Sequence, residues 1–95
     1  MEDKNVEWLC EEHAPKVDKG LIEMAMRDPG WFVGKSVKFR FEQGTHVEHM
    51  WVRILHYRDG LFHGILQNEP VVLWGLRHGD RVSVEFGDIE AVLDE

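Results

Sequence analysis

The chain has 95 residues, of which 43% are hydrophobic and 11% aromatic, and its formal net charge is −7 at pH 7. That length fits one domain with a modest core, and that composition excludes a disordered chain. The acidic balance argues against nucleic acid and anionic membrane as partners and favours another protein, basic in character, or a cationic ligand.

A single cysteine, Cys10, excludes an intramolecular disulfide and suits a reducing compartment. The opening MEDKNVEWLCEE lacks the basic start and apolar run of a secretory signal. No stretch reaches the roughly 18 apolar residues of a membrane helix. The expectation is a soluble, cytoplasmic protein that needs no cofactor.

The hydrophobic period changes near residue 30. Val6, Leu9, Cys10 and His13 share one helical face, which predicts a helix over residues 5–14. Asp3 or Asn5 caps it, and Pro15 ends or offsets it. Val17, Leu21, Met24 and Ala25 form a second stripe. Gly20 weakens that helix by about 1 kcal/mol relative to alanine, so its start is expected near there. Asp28-Pro29-Gly30 stops it.

Alternation follows. SVKFRFE, residues 36–42, turns Val37, Phe39 and Phe41 one way and Lys38, Arg40 and Glu42 the other. QGTH, residues 43–46, is a turn. VEHMWVRILHY, residues 47–57, predicts a longer strand. Glu48, Met50, Val52 and Ile54 share one of its faces; His49, Trp51, Leu55 and Tyr57 share the other. Apolar groups on both faces predict a central strand covered on both sides. Asp59-Gly60 marks a tight hairpin. LFHGILQN, residues 61–68, returns, with Gly64 at a bulge or close approach. EPVVLW, residues 69–74, reads as a short strand and GLRHGD, residues 75–80, as a turn. RVSVEF, residues 81–86, alternates again with Val82, Val84 and Phe86 inward. GDIEAVL, residues 87–93, ends the chain as a helical turn or a last strand.

Helices followed by short, tightly linked strands define an α+β class. The expected architecture is two N-terminal helices packed on a small, strongly twisted antiparallel sheet or SH3-like partial barrel of about five strands. Residues 1–95 are expected to form a single domain, helical over 1–30 and β over 31–95.

EHMWV at Glu48–Val52, FHGILQNEP at Phe62–Pro70, GLRHGDRVSV at Gly75–Val84 and Asp88-Ile89 occur in a telling order. Over about residues 36–90 the chain resembles a bacterial family, domain of unknown function 2314, also called YegJ-like. Glu48, His49, Trp51, Gly64, Asn68, Pro70, Gly79 and Asp80 carry the resemblance. It implies a bacterial protein of unsettled function and no catalytic residue. Relatives in toxin–immunity settings make it point towards protein binding. Each matched residue also has a structural account. Asn68 and Pro70 suit a turn, and Gly79-Asp80 launches a strand. Glu48 suits an acceptor for backbone or indole N–H, and Trp51 brings a large buried area.

Six histidines raise the question of metal. Across a two-residue Asp59-Gly60 turn, His56 falls opposite His63, side by side on one face. Two imidazoles fall short of the four ligands of a structural zinc site. His46 and His49 point to opposite faces of a strand. No metal ligand is therefore assigned. The motifs G-x-S-x-G, P-loop and dinucleotide fingerprint are absent. Glu11-Glu12, Glu85 and Asp94-Glu95 read as solvated surface, and no buried acid–base pair stands out.

No catalytic residue is assigned, and the chain is not expected to be an enzyme. The leading expectation is a non-catalytic protein-interaction module, an immunity-type inhibitor of a basic partner. Trp8, Trp31 and Trp74 are its candidates for an exposed aromatic patch. The alternative is a small-ligand or metal-binding domain with a site near His49, His56 or His63.

Overall fold

The computed structural model describes residues 17–93. The helix expected over residues 5–14, with Val6, Trp8, Leu9, Cys10 and His13, lies outside the described residues. One α-helix is present among those described, where two were expected in the chain.

Helix α1 spans Lys19–Arg27. The Asp18 side chain caps it by accepting from the Leu21 N–H at 3.1 Å. The Asp18 backbone N–H donates to the Ile89 carbonyl at 2.9 Å, which ties the helix start to the sheet edge. Ala25 is buried, and Leu21, Ile22 and Met24 pack on the core, as their spacing requires. The helix stops at Asp28, and a 3-10 turn over Pro29–Phe32 drops Phe32 into the interior.

Five strands follow: β1 (Ser36–Gln43), β2 (His46–Arg58), β3 (Leu61–Leu66), β4 (Arg81–Val84) and β5 (Ile89–Leu93). They form one antiparallel sheet in the order β4-β3-β2-β1-β5. Val37 and Phe39 of β1 face the core with Met50, Val52 and Ile54 of β2, as alternation predicts. Phe32, Phe39 and Phe62 are fully buried, and Phe62 has its ring 5.4 Å from Phe32 and 6.1 Å from Phe39. Each such side chain contributes about 2–3 kcal/mol by burial.

Strands β4 and β5 lie at opposite edges of the sheet, yet only residues 85–88 join them, and these include a 3-10 turn over Phe86–Asp88. Five Cα steps reach at most roughly 17 Å. The outer strands of a flat five-stranded sheet stand roughly 19 Å apart. The sheet therefore curls, bringing Arg40–Glu42 of β1 towards Ser83–Glu85 across an open cleft. Both readings of residues 87–93 hold in part: a 3-10 turn, then a strand.

Two expectations are corrected. Residues 69–74 are not a strand but part of a loop between β3 and β4. Pro70 has no N–H to give, and the Glu48 carboxylate takes the next three. In a strand, successive N–H groups alternate in direction; three aimed at one carboxylate cannot also serve a ladder.

The second correction concerns β2, which among the described residues is not covered on both sides along its whole length. Its register against β3 shifts between Ile54 and His56. This bulge inserts Leu55 and reverses the alternation beyond it. Tyr57 thereby turns to the core side and packs its ring 5.0 Å from Phe62. Leu55 stays exposed on the other face. The bulge accounts for Tyr57, while Trp51, which precedes it, stays half-buried on the outer face.

Candidate functional site

The five residues Glu48–Val52 divide their work. Met50 and Val52 are core. Glu48 lies at the end of the inward-facing row, and its carboxylate accepts three backbone N–H bonds: from Val71 at 2.7 Å, Val72 at 2.9 Å and Leu73 at 3.0 Å. The Trp51 N–H donates to the Asn68 side-chain oxygen at 2.5 Å, and the Trp51 carbonyl accepts from the Gln67 N–H at 2.8 Å. The Trp51 ring is half-buried, with the Lys38 ammonium 6.0 Å from its centre.

Further hydrogen bonds fix the same loop. Gln43 pairs with the Trp74 backbone twice, donating from Nε2 at 2.8 Å and accepting at Oε1 at 2.9 Å. Asp80 accepts from the Arg77 N–H at 2.9 Å, and the Asp80 carbonyl accepts from the Leu66 N–H at 2.8 Å. Gly79 takes a φ of +95°, a conformation open to glycine at little cost. Glu48, Asn68, Gly79 and Asp80 thus all hold the loop over residues 67–80. Leu73 plugs it into the core. Its tip is apolar and exposed: Val71 87%, Val72 46% and Trp74 59%.

Of the three tryptophans expected to form a surface patch, only Trp74 is strongly exposed among the described residues. Trp31 is half-buried, edge-on to Phe32 at 5.0 Å, with the Lys35 ammonium 4.3 Å from its ring centre. Trp8 lies outside the described residues.

The Glu48 carboxyl sits in two opposed influences. Burial pushes it up, but the three N–H donors from Val71, Leu73 and Val72 outweigh burial and hold it below the usual carboxylate range. A lowered folded-state value means stability that is present above the unfolded value of about 4.3 and is lost as pH falls through the folded value. Glu48→Gln is expected to cost about 1 kcal/mol at pH 7, a figure reduced for solvent access. Urea titrations should show that difference narrowing as pH falls below the ordinary carboxylate range.

His49 has an acidic partner that the sequence did not disclose. Glu90 of β5 is 1% exposed at its side chain, and its Oε2 lies 2.5 Å from His49 Nδ1, with His49 24% exposed. The other oxygen, Oε1, is buried without a hydrogen-bond partner. A bulge explains the placement. The β1–β5 register shifts between Lys38, paired with Ala91, and Phe39, paired with Ile89, so Glu90 is the extra residue. The only signal in the sequence was one carboxylate inside the apolar run IEAV. A carboxylate on Nδ1 orients an imidazole and aims Nε2 elsewhere. Among the described residues no hydroxyl or thiol hydrogen-bonds His49.

His56 and His63 are cross-strand partners, as the Asp59-Gly60 turn predicted, with ring centres 4.7 Å apart and planes 16° apart. Near-parallel stacking sets the ring nitrogens side by side rather than converging on one ion. His63 Nδ1 lies 3.0 Å from Ser83 Oγ, and its Nε2 lies 3.4 Å from the Arg58 carbonyl. Among the described residues no group of three or more His, Cys, Asp or Glu side chains is placed to hold a metal. His46 stands apart from these histidines, edge-on to Trp74 at 5.6 Å.

The cleft between β1 and β4 holds a third cluster. Burial, then the neighbouring Glu85, raises the Asp88 carboxyl above its usual range. Arg40 opposes this from across the cleft, already paired with Glu42 at 3.2 Å. That exposed pair contributes little to stability.

The geometry defines a small α+β domain with a curled antiparallel sheet, a pinned apolar loop and a buried His–Glu pair. The chain belongs to the bacterial family described as "Uncharacterized protein conserved in bacteria (DUF2314)", whose profile matches residues 31–93. It is 28% identical over 79 residues to "Uncharacterized protein YegJ" of Escherichia coli (strain K12), covering 82% of this chain and 50% of that protein. The chain therefore spans about half the length of that curated relative. No solved structure matches it. No helix among the described residues is long and apolar enough to cross a membrane.

Proposed function

We propose that this chain is a non-catalytic protein-interaction module that docks through the loop tip Val71, Val72 and Trp74. The observation that carries the reading is an apolar tip that is exposed yet held by side-chain hydrogen bonds from Glu48 and Gln43. A pre-ordered apolar tip loses little freedom on binding, so its burial goes into affinity. Glu42 and Glu69 are exposed carboxylates adjacent in sequence to Gln43 and Pro70. With the chain's net charge of −7, they favour a partner whose pocket is apolar at its centre and basic at its rim. An inhibitor of the immunity type is the role this best fits. The curled sheet, with a 3-10 turn joining its edge strands, supports an SH3-like partial barrel as the scaffold. A lone cysteine supports the cytoplasm as the place of action.

Capture from bacterial lysate at low and high salt tests the reading when wild type runs beside Trp74→Ala and Val71→Asp. One basic, salt-sensitive partner held by wild type and weakened at least about 30-fold by Trp74→Ala is the expected result. Equal capture by all three proteins, or none by any, overturns it. Both substitutions are at exposed positions, so unfolding free energies should stay within about 0.5 kcal/mol of wild type.

A further inference from the structure

The net charge is unevenly distributed. Residues 1–16 carry five carboxylates against two lysines, and residues 94–95 add two more carboxylates. Residues 17–93 carry eleven acids and nine bases, a net charge of only −2. By strand alternation, Lys38, Arg40, Arg53, Arg58 and Arg81 all stand on the outer face of the sheet. The sequence-level argument that an acidic chain repels phosphate therefore does not describe this face.

We propose that the outer face of β2, β3 and β4 binds a small phosphate group, held by Arg58, Arg81 and His56. The register places His56, His63 and Ser83 in one row across three strands. Arg58 lies beyond that row towards the β2–β3 hairpin, and Arg81 lies on its other side, opposite Ile65. Together they surround a dent of about 190 Å³ beside the Leu55 bulge and Gly64. No carboxylate lines it.

The Arg58, Arg81 and His56 donors are uncommitted among the described residues. Arg40 is paired with Glu42, and Arg53 donates to the Gly34 carbonyl at 3.1 Å. The Arg58 and Arg81 guanidinium groups have no hydrogen bond or ion pair among the described residues. The His56 ring nitrogens are likewise unpaired there. The Arg58 carbonyl accepts from His63 Nε2, so His63 Nδ1 accepts from the Ser83 hydroxyl, which lines the dent with its proton already spent. A planar guanidinium fork on each side, with an imidazole N–H between, matches a tetrahedral anion with several free oxygens. A carboxylate would leave part of this set unused.

This site is independent of the docking loop. Glu48 and His46 lie at one end of the thirteen-residue β2, and His56 and Arg58 at the other. The dent is open to solvent, so an affinity on the order of 1 mM is expected for the free anion.

Titration of the full chain with inorganic phosphate at constant ionic strength, followed by NMR, tests the proposal. Saturable shifts are expected at the His56 and His63 ring signals and at Ser83 and Arg81. Arg81→Gln and Arg58→Gln should each weaken binding about tenfold. Arg81→Lys should fall between Gln and wild type, because a point charge remains without the fork. Lys38→Gln, on the same face but outside the dent, should bind as wild type does. Free O-phosphoserine provides the second arm: tighter binding than inorganic phosphate assigns the site to a phosphate monoester, and weaker binding to the free anion. Shifts that grow linearly at every basic residue, or unchanged affinity in Arg81→Gln, overturn the site.

Discussion

Gly64→Ala is expected to destabilise the domain by about 4 kcal/mol, enough to leave much of it unfolded at 37 °C. A Cβ at this position would lie 2.2 Å from the Arg53 carbonyl oxygen, 2.7 Å from Val52 Cγ1 and 3.0 Å from the Arg53 carbonyl carbon. Two of these neighbours are backbone atoms, and they belong to β2, which is hydrogen-bonded to β1 on one side and β3 on the other. The oxygen cannot retreat as a flexible side chain would. Relief requires β2 and β3 to part at the bulge, which removes ladder bonds and loosens the contacts of Phe62 and Leu66 with the core. Gly44→Ala is the control. Gly44 has a φ of +60° and nothing within 4 Å of its would-be Cβ, so only backbone strain of about 1 kcal/mol is expected. Guanidinium titrations of both variants decide the matter. A Gly64→Ala loss no larger than that of Gly44→Ala would mean that the bulge relaxes cheaply.

Gly64 was legible as a bulge or a close approach because a glycine inside an apolar alternating run has few other reasons to be there. It proves to be both. The His56–His63 pairing was legible for a related reason: a two-residue turn at Asp59-Gly60 sets the register, and register sets neighbours. The bulge lies beyond that pair and leaves it intact. What alternation could not reveal was the reversal that the bulge imposes, so Tyr57 was placed on the wrong face.

PVVLW is the opposite case. Its composition favours a strand, but a carboxylate 23 residues earlier in the chain claims its N–H groups. Propensity is local, and Glu48 is not. Glu90 escaped for the same reason. Its neighbours in sequence are apolar, and its partner His49 is 41 residues away, on a strand that β1 separates from β5. The signature residues around Glu48 were recognisable as a set. That most of them hold one loop in place became visible only when the hydrogen bonds were traced.

His49→Ala is expected to cost about 3 kcal/mol at pH 7, more than a partly buried histidine on the outer face of a sheet would lose through packing alone. In the wild type, Glu90 already leaves Oε1 without a partner, and His49 is what satisfies Oε2. Removing the imidazole leaves a carboxylate with a 1% exposed side chain and neither oxygen satisfied. The nearest compensation is Arg40, across from His49 in the β1–β2 register, but its guanidinium is engaged with Glu42. The cost therefore belongs to the stranded Glu90 and should vanish with it. The double variant His49→Ala/Glu90→Leu, similar in volume at position 90 and without a charge, should recover most of the loss. Its reference is Glu90→Leu alone, in which the histidine keeps its solvent edge and loses only its anchor. A double-mutant cycle by urea denaturation should give a coupling of about 2 kcal/mol. Additive losses would place the cost in packing rather than in the stranded charge. If the coupling is found, the buried pair is a structural clamp between β2 and β5, closing the outer face over the bulge in β5, and catalysis is not needed to account for it.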